Sequence, residues 1–182
     1  MKIQFDNMFV APRTSRGCRL VLFWRSSVDI SIDGFNKNHI DAIIDKNKEH
    51  ALWFTRFYGK PDTHKQNESW NLLRSLNQKF QNPWLCAGDF NELARSKEKL
   101  GGNRRSNNQM QLFRDAIDEC GFMDLGYSGS NFTWSKHYVN ERSIWERLDR
   151  ASCINDWFHQ FHALHPIIFL YGLFQMALIP LL

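Results

Sequence analysis

Alternating apolar and polar positions run through the first third of the chain and predict a series of short β-strands. Residues 28–35 show the pattern clearly, because hydrophobic side chains recur at nearly every second position. Turn-forming sequences such as Asn-Lys-Asn separate consecutive segments, which favours an antiparallel meander. The predicted strands are residues 5–10, 19–24, 28–35, 38–44 and 51–58.

The hydrophobic spacing then changes to a helical period. Apolar residues between positions 70 and 80 predict one helix, which ends before Pro83, and those between 110 and 120 predict a second, closed by Gly121. The remaining candidates are strands at 131–134 and 144–148 and a short helix at 157–161. This order predicts an α/β (α+β) domain in which two mainly antiparallel sheets form a sandwich flanked by helices.

A short apolar strand at residues 83–88 leads into the most chemically suggestive part of the chain. It ends in small residues, as a buried strand does at the rim of a sheet. Asp89 and Asn91 follow, and in an extended backbone they would face the same side. A carboxylate beside a carboxamide suits holding a water or hydroxyl next to a phosphate. The alternative is a plain strand-end turn, because Gly, Asp and Asn are common turn residues.

Composition and charge limit the function only broadly. The 182 residues are 43% hydrophobic and 14% aromatic, which fits one packed domain and argues against disorder. A net charge of +4 permits a polyanionic partner without requiring one. Cys18, Cys86, Cys120 and Cys153 lack metal-ligand spacing and are expected to be core residues in a reducing compartment. The first residues lack the apolar run of a signal peptide, so an intracellular protein is expected.

Residues 167–182 form an almost entirely apolar tail. Buried strands are the main expectation. A membrane anchor is the alternative, although Gly172 and Pro180 interrupt the run and it is shorter than the roughly 20 residues of a spanning helix. In a third interpretation the tail has diverged and is no longer under structural selection.

Several motifs occur in a fixed order along the chain. They include Phe57-Tyr58-Gly59, Glu68-Ser69-Trp70, Gly88-Asp89-Phe90-Asn91-Glu92, Phe132-Thr133-Trp134 and Glu146-Arg147-Leu148-Asp149-Arg150. This set resembles the endonuclease/exonuclease/phosphatase superfamily, and more narrowly the endonuclease domain of plant LINE-type (non-LTR) retroelements. The resemblance covers about residues 3 to 165. It implies a four-layer α/β sandwich of the DNase I type.

The resemblance also implies a site that cleaves phosphodiester bonds. Asp89 matches the aspartate that activates or orients the attacking water, and Asn91 matches the asparagine that hydrogen-bonds the scissile phosphate. Tyr58 matches a tyrosine that contacts the phosphate. Asp149 matches a carboxylate that orients a catalytic histidine. The alternatives are a core tyrosine at position 58 and a surface ion pair between Asp149 and a neighbouring arginine.

DNA and Mg²⁺ are the partner and cofactor that the resemblance implies. Thr133 and Trp134 lie in a motif that borders the DNA-binding face of such enzymes. The polar, basic loop at residues 96–108 adds Arg104 and Arg105 as candidate DNA contacts.

Parts of the family pattern are missing or altered. The family's metal-binding glutamate is expected upstream of Met1, so the chain is expected to be a single partial domain, truncated at its start. The family's Ser-Asp-His motif falls within residues 176–180, where Ala177 and Leu178 replace the aspartate and histidine. Arg56 stands where relatives tend to have a small residue. One lost donor typically costs about 10²–10³ in rate, so an inactive relic is expected.

Three functional hypotheses follow. The first is a Mg²⁺-dependent endonuclease domain by descent, which nicks target DNA for retrotransposition and whose place of action would be the nucleus. The second is a non-catalytic remnant that binds nucleic acid. The third is a phosphomonoesterase of the same superfamily that acts on a small phosphorylated substrate.

Overall fold

The computed structural model describes residues 5–12, 19–79, 83–127, 129–138, 143–161 and 174–179. Its strands are β1 (Asn7–Val10), β2 (Arg19–Trp24), β3 (Ile30–Phe35), β4 (His39–Ile44), β5 (Leu52–Tyr58), β6 (Trp84–Asp89), β7 (Lys99–Leu100), β8 (Phe122–Asp124), β9 (Trp134–His137), β10 (Ser143–Glu146), β11 (Asp149–Ile154) and β12 (Phe174–Ile179). Its helices are α1 (Gln66–Lys79), α2 (Asn107–Glu119) and α3 (Asn155–Phe161), with 3-10 turns at Thr63–Lys65 and Ser96–Glu98.

A six-stranded sheet in the order β3-β4-β5-β6-β11-β8 forms the centre of the fold. Its strands are antiparallel except β5 and β6, which run parallel with α1 in the connection between them. All of β4 and all but the last residue of β6 are buried. Such continuous burial is expected of inner strands whose two faces are both covered.

Helices α1 and α2 cover one face of this sheet. Trp70 of α1 stacks on Phe113 of α2 with ring centroids 4.8 Å apart, and Trp84 of β6 packs on Phe122 at 4.4 Å. The buried stripe contains the residues whose spacing predicts the two helices, so both predictions are confirmed. Gly121, just beyond α2, has φ = +67°, a left-handed conformation that favours glycine at a helix end.

A second sheet, in the order β1-β2-β12, covers the opposite face. Leu20 and Leu22 of β2 share a buried core with Phe54 and Leu85 of the central sheet. A third sheet, in the order β7-β10-β9, completes the described strands. Helices outside and sheets packed face to face confirm the predicted α/β sandwich.

The structure corrects the predicted connectivity of the first strands. Only β3, β4 and β5 form a meander, because β1 and β2 pair with each other in the second sheet. An alternating pattern identifies a strand with one covered face, but it does not say which sheet the strand joins. Strands β7, β8 and β11 are not predicted, since β7 and β8 are short and β11 is rich in polar residues.

The apolar tail contributes a strand where it is described. β12 pairs antiparallel with β2 over its whole length, which places Ala177 opposite Val21 and Leu178 opposite Leu20. Across the described ranges, no helix is both long and apolar enough to cross a membrane. Three of the cysteines, Cys86, Cys120 and Cys153, are buried and unbonded as predicted, while Cys18 lies outside the described residues.

A buried chain of hydrogen bonds ties three strands of the central sheet together. The Trp84 indole Nε1 donates to Thr55 Oγ1 at 3.0 Å, and Thr55 Oγ1 donates to Asp41 Oδ1 at 2.8 Å. We expect Thr55→Val to lower the free energy of unfolding by about 1–3 kcal/mol, because it removes the acceptor of one bond and the donor of the other. Urea denaturation measures this loss.

Ser152→Ala is the matched control. The Ser152 hydroxyl is also buried, but it has no hydrogen-bond partner among the described residues. Its removal should change the free energy of unfolding by less than about 0.5 kcal/mol or raise it. Equal losses in the two variants would contradict the role assigned to the buried chain.

Candidate active site

Strand register brings three of the predicted catalytic residues side by side. In the parallel pair β5–β6, Tyr58 lies opposite Asp89, and in the antiparallel pair β6–β11, Asp89 lies opposite Asp149. Phe54, Leu85, Ala87 and Ala151 of the same strands belong to the core between the two sheets. Because side chains alternate along a strand, the whole row Tyr58–Asp89–Asp149 lies on that face.

Asn91 joins the row from a tight turn rather than from an extended strand. Its φ of +56° is left-handed, so the predicted extended backbone after Asp89 is wrong. The turn folds back because the Asn91 N–H donates to Asp89 Oδ1 at 2.8 Å. The Asn91 side-chain amide donates to the Gly59 carbonyl at 2.9 Å. The turn and the candidate site are therefore the same structure, not alternatives.

Gly59 lets the loops that follow β5 and β6 come into close contact. Its N–H donates to the Asp89 carbonyl at 2.7 Å, and a Cβ at this position would lie 2.2 Å from the Phe90 carbonyl oxygen. A side chain here would force the backbones apart. Glycine at this position therefore holds Tyr58 and Asn91 on neighbouring loops within one small site.

Thr133 holds the start of β11 in place. Its Oγ1 accepts hydrogen bonds from the Leu148 and Asp149 N–H groups, each at 3.0 Å, and its own N–H donates to the Glu146 carbonyl. These bonds fix the backbone from which the Asp149 carboxylate projects. Trp134, the next residue, is 41% exposed at the start of β9. A large exposed indole of this kind is available to contact a ligand.

The site perturbs the ionisation of Asp89. Burial raises the pKa of Asp89 to about 6, and the neighbouring Asp149 charge raises it further. The hydrogen bonds from Asn91 and the charge of Arg56 act in the opposite direction. A carboxyl group with a pKa near neutrality can accept a proton as a general base at physiological pH.

The basic loop is only partly available to a ligand. Lys99 forms an ion pair with Glu146, and Arg105 forms ion pairs with both Glu146, at 3.4 Å, and the fully buried Glu92, at 3.3 Å. Arg104 is exposed. Of the two arginines predicted to contact DNA, Arg104 therefore faces solvent, whereas Arg105 binds the loop to β10.

Sequence reasoning missed a second buried ion network on the opposite face of β11. Arg150 contacts Glu98 at 2.6 Å and Asp124 at 3.0 Å, and Arg147 contacts Asp124 at 2.8 Å. Both arginines thus have acidic partners other than Asp149. The five residues from position 146 to 150 alternate acidic, basic and apolar types, but the sequence alone does not show which partners lie across the sheet.

A cavity of about 400 Å³ lies next to this network. Arg147, Arg150, Phe113 and Tyr127 are among its lining residues, and the lining does not include Tyr58, Asp89, Asn91 or Asp149. The cavity is therefore separate from the row of candidate catalytic residues.

The residues present do not fit the Mg²⁺ site that the resemblance implies. Within the described ranges, no three His, Cys, Asp or Glu side chains come together as a set of metal ligands. Asp89 and Asp149 supply two carboxylates, but the buried guanidinium of Arg56 interacts electrostatically with both. A resident positive charge opposes the binding of a divalent cation at the same carboxylates.

The family's metal-binding glutamate corresponds to no residue of the structure. It is expected upstream of Met1, and Met1 itself lies outside the described residues, which begin at position 5. The expected truncation of the domain at its start therefore stays a prediction. The mismatch with Mg²⁺ rests instead on Arg56, Asp89 and Asp149, whose surroundings the structure describes.

Replacing Asp89 by asparagine should stabilise the fold above pH 6 at the expense of the site. The pKa of Asp89 is raised in the folded state, so ionisation weakens the fold as pH rises from about 4 to about 6 and the effect is constant above that range. Asn keeps an Oδ1 acceptor for the Asn91 N–H. We expect Asp89→Asn to gain on the order of 1–3 kcal/mol at pH 7.5 and nothing at pH 3.5.

Chemical denaturation across this pH range tests the expectation. Asp118→Asn, an exposed position on α2, controls for the loss of one negative charge. A gain that does not change with pH would contradict the assignment of the effect to ionisation of Asp89.

Comparison with family models and with curated proteins finds no match. Among solved structures, the chain is similar to the endonuclease domain of TRAS1, a telomere-specific non-LTR retrotransposon, with a TM-score of 0.66 and 13% sequence identity. That alignment covers 82% of this chain and 67% of that domain.

The chain is also similar to NExo, a 3′-5′ exonuclease from Neisseria meningitidis, with a TM-score of 0.58 and 13% identity, covering 81% of this chain and 66% of that one. A structure of the 3′ phosphatase NExo from Neisseria bound to a product DNA hairpin gives a TM-score of 0.60 and 12% identity, with 82% and 66% covered. The chain thus spans about two thirds of the length of these structures. Its fold is the DNase I-like fold of the endonuclease/exonuclease/phosphatase type.

Proposed function

We propose that this chain is a nuclease-type domain whose site binds a backbone phosphate of DNA. The observation that carries the proposal is the row Tyr58–Asp89–Asp149, completed by Asn91, which combines a potential base with hydrogen-bonding groups at one rim of the sheet. The fold, shared with a DNA endonuclease domain and with NExo, supports the same class of substrate.

The chemistry of the row suits hydrolysis of a phosphate ester. Ionised Asp89 can hold a water molecule and accept its proton, and its pKa near 6 keeps it mainly ionised at pH 7 while still basic enough to act. Asn91 and Tyr58 can hydrogen-bond the phosphate oxygens from opposite sides of Asp89. We derive no step through Mg²⁺, because the residues present do not fit it.

The proposal includes a turnover close to background. The resemblance places the family's catalytic histidine at Leu178, which cannot donate a hydrogen bond to the phosphate. Loss of one such donor typically costs about 10²–10³ in rate. Within β12, position 178 lies opposite Leu20 of β2. Binding without efficient cleavage, the second hypothesis above, is the behaviour that we expect.

Specific features favour the finer assignments in the proposal. Exposed Trp134 and Arg104 give an aromatic surface and a cation that could contact DNA. The resemblance to plant LINE-type endonuclease domains adds target DNA, nicked for retrotransposition in the nucleus, as the ancestral role. A 3′-phosphate end is a second candidate ligand, favoured by the fold shared with the 3′ phosphatase NExo.

DNA binding and cleavage should be measured on the same preparation. Fluorescence anisotropy with a 5′-labelled duplex of about 20 base pairs should show binding that weakens steeply between 50 and 200 mM salt. Arg104→Ala should weaken it without changing the fold. Supercoiled plasmid should be nicked no faster than by Asp89→Ala, with Mg²⁺ or with EDTA.

Each alternative has a distinct outcome. Metal-dependent nicking that disappears in Asp89→Ala would contradict the expected near-background turnover and show an active endonuclease. A folded protein without measurable DNA affinity would overturn the proposed function. Release of inorganic phosphate from a 3′-phosphorylated oligonucleotide, or from soluble phosphomonoesters, would favour the phosphomonoesterase hypothesis instead.

A further inference from the structure

Arg56 is a deeply buried cation in the immediate surroundings of the candidate site. Two positions before Tyr58 on β5, it occupies the same face of the sheet one row further in, and only 2% of it is exposed. Its Nη1 donates to the Phe57 carbonyl at 2.6 Å, and its buried Nε has no hydrogen-bond partner among the described residues. A guanidinium carries five N–H donors, so this one is sparsely satisfied.

Small residues leave the space that the guanidinium occupies. In the row of Arg56, the neighbouring strands carry Ala87 and Ala151. At Gly88 an added Cβ would lie 2.0 Å from Arg56 Nη1 and 1.9 Å from the Phe57 carbonyl oxygen. Even alanine at position 88 would therefore displace the arginine as well as strain the backbone, whose φ there is +154°. Arg56 fits because its neighbours on β6 and β11 are small.

Charge, rather than hydrogen bonding, stabilises Arg56 in this position. Burial lowers the pKa of Arg56, whereas the charges of Asp149 and Asp89 raise it. The effect is mutual, because the charge of Arg56 lowers the pKa of Asp89. A buried charge normally requires an opposite charge nearby, and this pair of carboxylates provides it.

We propose that Arg56 is the resident cation of the candidate site and takes the place of a divalent metal ion beside Asp89 and Asp149. Two carboxylates and one guanidinium leave a single net negative charge, and a divalent cation would also be repelled by the guanidinium. The site therefore binds divalent cations weakly. The proposal rests on the proposed function only in treating these carboxylates as the charged groups of the site.

Binding of Mn²⁺, followed by NMR, tests the proposal independently of activity. Paramagnetic broadening of the Asn91 side-chain amide and of the backbone amides of residues 89–91 reports Mn²⁺ at the carboxylates. Wild-type protein should show no saturable broadening at these signals up to about 1 mM Mn²⁺. Arg56→Met, which keeps a long side chain without the charge, should bind Mn²⁺ at least about tenfold more tightly, and excess Mg²⁺ should reverse the broadening.

Arg56→Lys is the matched control, because it keeps the charge and should behave as the wild type does. Tight, saturable Mn²⁺ binding at Asn91 in the wild-type protein would overturn the proposal, as would equal affinities in wild type and Arg56→Met. Should Arg56→Met fail to fold, the wild-type titration decides alone. The DNA-binding measurement reports on the proposed function separately, so the two proposals can fail independently.

Discussion

Two carboxylates directly opposite each other on neighbouring strands are the constraint on which the site depends. The β6–β11 register places Asp89 against Asp149, and like charges in such a pair destabilise a sheet. The register follows from the apolar residues further along, since Ala87 and Leu85 must meet Ala151 and Cys153 in the core. Core packing thus imposes an unfavourable electrostatic contact at the rim of the sheet.

The surrounding structure holds this contact in place from several directions. The Asn91 N–H donates to Asp89, the Gly59 N–H donates to the carbonyl of the same aspartate, and Thr133 fixes the backbone of Asp149. On the opposite face, Arg150 connects β11 to Glu98 and so ties the loop after β6 to the sheet. Charged groups held in this way need little rearrangement when a ligand arrives, which is the condition for electrostatic preorganisation.

Much of the fold is legible in the sequence because its elements have one covered face. The spacing around Trp70 and Phe113 predicts both long helices, and the alternation at residues 28–35 predicts β3. Which sheet a strand joins depends on contacts far along the chain, so the pairing of β1 with β2 and of β12 with β2 could not be predicted. Strand β11 carries the sequence Asp-Arg-Ala-Ser-Cys-Ile, in which the polar residues hide its burial.

The site was predictable only where a motif carries it. The resemblance names Tyr58, Asp89, Asn91 and Asp149, and the structure brings these four together. Arg56 was visible only as an unusual residue, because its burial beside the carboxylates depends on small residues of two other strands. Arg105 illustrates the opposite error: a basic loop in the sequence suggests a DNA contact, yet its side chain is paired with Glu92 and Glu146.

Direct titration of the Asp89 carboxyl carbon by NMR is the most immediate test that these groups form one coupled site. Asp89 should titrate with a pKa of about 6, and in an Asp149→Asn variant the value should fall, because the neighbouring charge is removed. A pKa near the ordinary value of about 4 in both proteins would contradict the account, since it would place Asp89 in open solvent and away from Asp149.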